Sequence, residues 1–478
     1  MFVDFFSRHW TEIVFSAIYA ITVIGCILAV ITENRNPVKT MSWLLVLVFI
    51  PAIGVILFYF FGQDNRKIKH VSTKYYKHVK DIKDLSFDSL LKSSETQLNN
   101  ETIVLSRLLA KTNNSAILKG SKIKIFTEGN DKFEALIEDI EAAKHHIHIE
   151  YFIFYNDETG NLFKELLMKK AAQGVEVRFL YDNVANWFVP PHYYNEMKES
   201  GVLVATYMKV LFPMFHSKLN YRNHRKVVVI DGVIGYMGGM NISNDYRIWR
   251  DTHVRIQGKG THGLQASFLT DWISSGMPMI DKEKANEYFP DCPEFTDNIM
   301  QIATGGPINP WRNLLEATIH IATNAQKYLY IQTPYFLPTE GLFHALQAAA
   351  LGGVDVRLMM PEKADMPIVN PAAHSYFETL LESGVKIYIY QNRFIHAKSI
   401  VCDDFTAVVG SVNMDIRSFE CNFEINGYIY DPDFALRMKE IFLEDQKNCV
   451  RISLEEWRKR PVNKKFWESI CRIFSPLF

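Results

Sequence analysis

The chain has 478 residues, 52 Lys+Arg against 53 Asp+Glu for a formal net charge of -1, and 48% hydrophobic residues. This length allows two or three domains and a large core. The charge balance argues against a nuclease, which needs a basic surface.

The hydrophobic excess lies at the N-terminus. Residues 13–31 and 43–61 are apolar apart from small polar side chains, and each is long enough to cross a bilayer core. Only a turn around Glu33-Asn34-Arg35-Asn36 separates them, so residues 1–63 are expected to form a two-helix transmembrane hairpin. A cleaved signal peptide is the rival reading of the first span. No clear small-residue cleavage site follows it, and a second span comes at once. Arg66, Lys67, Lys69, Lys74, Lys77, Lys80 and Lys83 follow the second span, against Arg35 and Lys39 in the turn. By the positive-inside rule this puts both termini and the body of a multi-pass membrane protein in the cytoplasm. Six scattered cysteines without paired spacing fit that reducing compartment.

Residues 64–120 are polar and charged and read as a stalk or linker. Its basic start is either a solvated helix face or a patch for anionic headgroups. From 121 onward strands and helices alternate: residues 147–152 read as a strand, 161–173 as a helix and 175–180 as the next strand. The pattern returns, with Leu162-Phe163 and Gly174-Val175-Glu176-Val177-Arg178 matched by Leu342-Phe343 and Gly353-Val354-Asp355-Val356-Arg357. Two tandem α/β halves are expected, at 121–285 and 286–478. The first half carries extra length with two apolar clusters, Trp187-Phe188-Val189-Pro190-Pro191 and Leu211-Phe212-Pro213-Met214-Phe215. They read either as core or as loops where acyl chains enter. Phe466, Trp467, Ile470, Ile473, Phe474 and Leu477 recur at helical spacing beside Lys464, Lys465 and Arg472. This amphipathic C-terminal helix either closes the body or lies at a membrane interface.

Within this duplication, His224-Arg225-Lys226 is followed by Asp231, Gly238-Gly239 and Asn241. His396-Ala397-Lys398 is followed by Asp403, Gly410-Ser411 and Asn413 in identical spacing. A lone His-x-Lys such as His216-Ser217-Lys218 means little; two full copies in register mean much. Each is followed by an apolar run that reads as a buried strand. On a strand His224 and Lys226 share a face, as do His396 and Lys398. Imidazole and ammonium together suit an anion. The same period puts Asp231 and Asp403 on the opposite face, as supports of the strand end and not proton carriers. Gly239 and Ser411 let backbone approach closely, and Asn241 and Asn413 can donate to phosphate oxygens. One neutral imidazole can attack phosphorus while the other, protonated, donates to the leaving alkoxide. The lysines and asparagines stabilise the non-bridging oxygens. No carboxylate cluster sits beside the histidines, so no metal and no other cofactor is expected.

These motifs resemble the phospholipase D superfamily, whose mark is a duplicated His-x-Lys-x4-Asp followed by Gly-[Gly/Ser]-x-Asn. Asn220-Tyr221-Arg222-Asn223-His224-Arg225-Lys226, and Asn413 to Phe419 with Asn422-Phe423-Glu424, are similar to bacterial cardiolipin synthases over nearly the whole chain. The resemblance implies two α/β/α sandwich halves related by a pseudo-twofold, with His224, Lys226, Asp231, His396, Lys398 and Asp403 as the catalytic set. It implies that acids orient the histidines, with Asp251 and Glu424 in equivalent parts of the two halves, 27 positions after His224 and 28 after His396. It further implies phosphatidyl transfer between phosphatidylglycerol molecules through a phosphohistidine, giving cardiolipin and glycerol. The partners would be phosphatidylglycerol and anionic membrane lipid, not nucleic acid. A membrane-bound phospholipase D or other phosphatidyltransferase, and a non-enzymatic scaffold, are the alternatives.

Overall fold

The computed structural model describes residues 2–32, 37–58, 98, 100–207 and 221–475. Outside these lie the inter-span turn, the basic run after the second span, the Leu211–Phe215 cluster, His216-Ser217-Lys218 and Leu477. The chain divides into two compact units: Met1–Lys67 with Val210–Asn220, and Ile68–Lys209 with Tyr221–Phe478.

In the first unit, α1 (Phe2–Thr32) contains Glu12–Thr32, a stretch long and apolar enough to cross a membrane. The second apolar limb departs from expectation. It is two short helices, α2 (Pro37–Phe49) and α3 (Pro51–Leu57), and not one span. Pro51 has no N–H to continue the helix, and it pushes the residue before it out of the helical region. Ile50 accordingly sits at φ -135° and ψ 61°. The chain doubles back there, bringing Trp43 and Phe58 edge to face at 5.5 Å. Gly54 lies so close to α2 that a Cβ would stand 2.8 Å from the Val46 carbonyl. Val30 of α1 is buried with Leu47 and Phe58, which ties the two limbs together.

The second unit is a duplicated α/β body. The first half contributes β1 (Lys122–Glu128), β2 (His146–Tyr151), β3 (Glu176–Asp182), β4 (Leu203–Tyr207), β5 (Lys226–Ile230), β6 (Ile234–Gly238) and β7 (Arg250–Gln257). The second contributes β8 (Ile299–Gly305), β9 (Tyr328–Gln332), β10 (Asp355–Pro361), β11 (Lys386–Tyr390), β12 (Ser399–Cys402), β13 (Thr406–Gly410) and β14 (Asn422–Tyr430). Their orders, β1-β7-β6-β5-β2-β3-β4 and β8-β14-β13-β12-β9-β10-β11, are the same path walked twice. In each, the last three strands run parallel through helical crossovers and the others pair antiparallel.

Alternation along β5 shows how the layers form. Val228 and Ile230 pack with Phe133, Leu136 and Ile140 of the helix Gly129–Ala142. Val227 and Val229 turn the other way, into a cluster shared with Ala397, Val401 and Ile425 of the second half. Both faces are therefore buried, at about 1.5–3 kcal/mol for each valine fully removed from water. Helix α5 (Thr261–Ser274) follows β7, and α7 (Pro432–Gln446) follows β14 in the equivalent place. The end of the expected linker is not a linker. Helix α4 (Asn100–Asn113) buries Leu105 and Leu109, one turn apart, in the core of the second half. Ile117–Lys119 then adds antiparallel to β8. The second half also carries α6 (Val369–Glu382) between β10 and β11, and the C-terminal α8 (Val462–Ile473).

Candidate active site

Both histidines sit just ahead of the strands that the motif opens, and each is fastened to the other half. The His224 N–H donates to the Phe423 carbonyl at 2.9 Å, where Arg222–Asn223 pairs parallel with the start of β14. The His396 N–H donates to the Arg250 carbonyl at 2.7 Å, at the start of β7. This exchange decides which acid meets which imidazole. Nδ1 of His224 lies 3.0 Å from both oxygens of Glu424. Nδ1 of His396 lies 2.7 Å from Oδ2 of Asp251. Asp251 and Glu424 thus face the histidines, but crosswise: neither half holds a complete pair. With Nδ1–H committed to a carboxylate, Nε2 is the nitrogen left for chemistry in each ring.

Lys226 and Lys398 are buried, and each reaches back to the carbonyl of its own histidine, at 2.7 Å and 2.5 Å. Burial pushes Lys226 well down and Lys398 down to about 8. Burial likewise lowers His224, against the pull of the Glu424 charge. His396 is pushed down to about 4 by burial first and the Lys398 charge second. The Lys398 charge also bears on His224, and the Lys226 charge on His396. The two motifs therefore share one electrostatic environment. Burial alone would raise Glu424, but His224 and Lys226 and the Ser411 hydroxyl hold it below the ordinary carboxylate range.

The remaining motif residues divide into supports and walls. Ser411 Oγ donates to Glu424 and accepts from the Ile425 N–H at 3.0 Å. Gly239 stands at the matching place beside Asp251, where a Cβ would fall 2.1 Å from Oδ1. Asn241 accepts from the Ile153 N–H at 3.1 Å and donates to Tyr246 Oη at 2.5 Å, and Tyr246 stands 5.5 Å from the His396 ring. The carbonyl oxygen of buried Asn413 has no protein partner. Phe152 lies edge-on to His224, while Trp249 and Phe394 flank His396.

Asp231 and Asp403 stand apart from this set, and the reason is turn geometry, not strand alternation. Each ends its strand in the left-handed region, at φ 52° and 51°. Asp231 accepts from the Lys144, His145 and His146 N–H groups at 2.8–3.0 Å, just before β2. Asp403 accepts from Gln326, Lys327 and Tyr328 at 2.6–2.9 Å, just before β9. Both carboxylates are occupied by backbone N–H groups, which fits supports and not the catalytic role that the family resemblance implies. Among the described residues, no group of three or more His, Cys, Asp and Glu is arranged to hold a metal ion.

Sequence reasoning missed the arginines that brace the crossed pairs. Arg225 bonds Asp271 of α5 and donates to the Glu424 carbonyl at 3.1 Å. Arg250 bonds Asp445 of α7 at 2.5–2.9 Å and donates to the Asp251 carbonyl at 2.6 Å. The recurrence of an aspartate in each following helix, 20 and 21 positions after the acids, was the available signal.

Two halves of one strand order meeting at a duplicated His-x-Lys pair define a phospholipase D-like enzyme. Among solved structures the chain is similar to phosphatidylserine synthase from Haemophilus influenzae, at a TM-score of 0.60 and 14% identity, over 78% of this chain and 100% of that one. The family model described as "Cardiolipin synthase, PLD-like domain" matches residues 136–272 and 318–446, and a phospholipase D-nuclease N-terminal model matches 17–63. The cardiolipin synthase of Halalkalibacterium halodurans is 35% identical over 99% of this chain and 95% of its own length. The major cardiolipin synthase of Bacillus subtilis is 36% identical over 98% and 99%. The chain belongs to the cardiolipin synthase family, enzymes of phosphatidyltransferase type with phospholipid substrates. With the apolar helix at its N-terminus, this membership points to a membrane protein.

Proposed function

We propose that the enzyme moves a phosphatidyl group from one phosphatidylglycerol to the glycerol hydroxyl of another through a phosphohistidine. The observation that carries this is the crossed arrangement of two imidazoles, each with Nδ1 on a carboxylate of the other half. His224 is the nucleophile in this reading, because Glu424, kept ionised against burial by His224, Lys226 and the Ser411 hydroxyl, balances the positive charge of a phosphorylated ring. Its Nε2 attacks phosphorus and the bond to the glycerol oxygen breaks. His396, whose low proton affinity makes it a ready donor, gives its proton to that oxygen and free glycerol leaves. The arriving phosphodiester anion offsets the Lys398 charge, which adds to burial in keeping His396 neutral in the empty site. In the second step His396 takes the proton from the hydroxyl of another phosphatidylglycerol. That oxygen attacks phosphorus, and the P–N bond breaks to give cardiolipin. One phosphodiester replaces another, so no nucleotide is consumed. Lys226, Lys398 and Asn413 balance the charge on the non-bridging oxygens.

A lipid substrate is favoured by the exposed apolar side chains next to the site's own elements. Trp187 and Phe188, the latter 93% exposed, follow Asn186, which holds the Phe152 backbone beside His224. Ile248 precedes Trp249 on the His396 side. Of the Trp187–Pro191 cluster only Val189 is buried among apolar side chains, which supports lipid entry over core for Trp187 and Phe188.

For topology, we infer that both apolar limbs enter the bilayer in a multi-pass arrangement. The lysine-rich run from Arg66 to Lys83 holds the body on the cytoplasmic side. A C-terminal tag should then survive protease added to sealed, right-side-out cells; digestion without lysis would reverse the assignment. Purified full-length protein given labelled phosphatidylglycerol and EDTA should yield cardiolipin and glycerol in equal amounts. Phosphatidic acid as the sole lipid product would make it a phospholipase D instead.

A further inference from the structure

Helix α8 is attached to the body by the wrong face. A helix that closes a soluble core buries its apolar stripe, but α8 buries Glu468, 2% exposed, which pairs with Arg460 at 2.6 Å and His374 at 3.6 Å. Lys465 pairs with Glu378 of α6 at 3.2 Å on the same side. The apolar stripe faces out: Val462 is 82% exposed, Phe466 67%, Trp467 53% and Ile473 73%. The spacing 462, 466, 470, 473 is one face of an α-helix. This outward face is carried on a helix held to the body by those ion pairs, by buried Cys471 and by Arg472 over the Tyr376 ring, with Lys464 and Arg472 exposed beside it.

The orientation of α8 follows from its contacts with α6. Lys465 meets Glu378 and Glu468 meets His374, so the two helices run antiparallel. Helix α6 begins after the C-terminal end of β10, the sheet end where Gln332 meets Ser399 next to Lys398. Ile473 and the exposed Phe474 are thereby carried toward that end, where Met366 and Ile368 are also exposed just before α6.

We propose that α8 is an interfacial anchor that lays its outward face among the acyl chains of a bilayer bearing anionic headgroups. It would hold the entrance of the site against the lipid surface. Apolar face and flanking cations together match that occupant, whereas a second copy of the chain would have to cover Lys464 and Arg472 as well. This rests on the lipid-transferase reading above.

The test uses full-length protein in nanodiscs of phosphatidylglycerol and phosphatidylcholine, with p-benzoylphenylalanine replacing Phe466, Ile473 or, as a control, Leu351. Leu351 is exposed at the opposite sheet end, where the helix Glu340–Leu351 leads into β10. On irradiation, positions 466 and 473 should label lipid at least about fivefold more than position 351. Equal labelling at all three sites, or a crosslinked dimer in place of lipid adducts, overturns the proposal. In a second arm, Phe466→Ser/Ile473→Ser should cut turnover of phosphatidylglycerol in bilayers about tenfold and leave turnover in detergent micelles within about twofold. Equal loss in both formats overturns it too. Labelling needs no turnover, so lipid labelling from positions 466 and 473 by a protein whose wild-type form makes no cardiolipin defeats the transfer reading and not this one.

Discussion

Around His224 the carboxylate is the longer Glu424, with the Ser411 hydroxyl on one of its oxygens. Around His396 it is the shorter Asp251, packed over Gly239 with Oδ1 on the Thr252 N–H at 2.7 Å. The bracing arginine also changes place. On the His224 side it is Arg225, from the motif itself, lying over Phe423 of the acid strand. On the His396 side it is Arg250, from the acid strand, and the motif position is Ala397. Each side therefore keeps one carboxylate, one small residue or hydroxyl, and one arginine bound to a helix aspartate, while the residues that supply them differ. Because the carboxylates are exchanged between halves, neither half alone pairs an imidazole with its carboxylate. Docking of the halves is what completes the site.

The largest effect should come from removing either imidazole. His224→Ala and His396→Ala should each lower cardiolipin formation on the order of 10⁴-fold, since nucleophile and acid lie in different halves. The variants should separate on a phosphatidyl ester of p-nitrophenol, whose leaving group needs no proton. His396→Ala should still form the covalent enzyme from it and His224→Ala should not. The reverse pattern would exchange the two roles and leave the composite site standing. Near-normal turnover by either variant would refute the composite site.

Gly239→Ala should come next, at about 10³-fold in kcat. Its Cβ would overlap the Asp251 carboxylate and drive it off the His396 Nδ1. The damage should be confined to one side, so covalent labelling of His224 by the p-nitrophenyl substrate should persist. Loss of that labelling would show that the two sides do not fail separately.

Much of this is legible in the sequence alone. Two motifs in identical register announced a duplicated site, and the repeated Gly-Val-x-Val-Arg announced the duplicated sheet. The crossing of the acids was not readable. Asp251 and Glu424 follow the histidines of their own halves at nearly equal spacing, and no local feature says that each strand start docks on the other half. Strand alternation puts the aspartates away from the histidine face, but the strand ends at Ile230 and Asp231 itself takes the left-handed turn, so alternation does not explain where its carboxylate lies. The break in the second apolar limb lay in plain view at Pro51, but apolar composition over 43–61 outweighed it. The terminal helix had a visible stripe, and only its contacts reveal which face points inward.

Acid should destabilise the site through its histidines. His396 is held down at about 4 from an unperturbed 6.5, so the unfolded chain takes a proton that the folded one refuses. The stability this contributes is fully present above about pH 6.5 and lost as pH falls toward about 4, roughly 3 kcal/mol in all. His224 is shifted in the same direction. Urea titrations at pH 7 and pH 4.5 should therefore diverge less for His396→Gln than for wild type. An equal divergence would remove His396 from the account.

Asp231→Asn and Asp403→Asn should each cost about 2 kcal/mol of folding stability, because three N–H groups lose a charged acceptor. Asparagine tolerates the left-handed turn, so the variants should fold and keep turnover per folded molecule within about twofold. A stable variant as inactive as a histidine variant would put these aspartates back among the catalytic groups.

The smallest effect should be that of Ser411→Ala, about tenfold in the rate of covalent-enzyme formation. The substitution removes one hydroxyl from Glu424 and one acceptor from the Ile425 N–H at 3.0 Å, worth about 1 kcal/mol at the carboxylate. Glu424 keeps its two 3.0 Å contacts with His224, so its carboxylate shifts without being evicted, unlike Asp251 in Gly239→Ala. If Ser411 acts only by holding Glu424 ionised and in place, its loss should add nothing once Glu424 is neutral. In a double-mutant cycle, Ser411→Ala in a Glu424→Gln background should leave the rate within about twofold of Glu424→Gln alone. Fully additive losses would mean that Ser411 acts independently of Glu424, through the backbone of β14. The correspondence drawn between Ser411 beside Glu424 and Gly239 beside Asp251 would then fail.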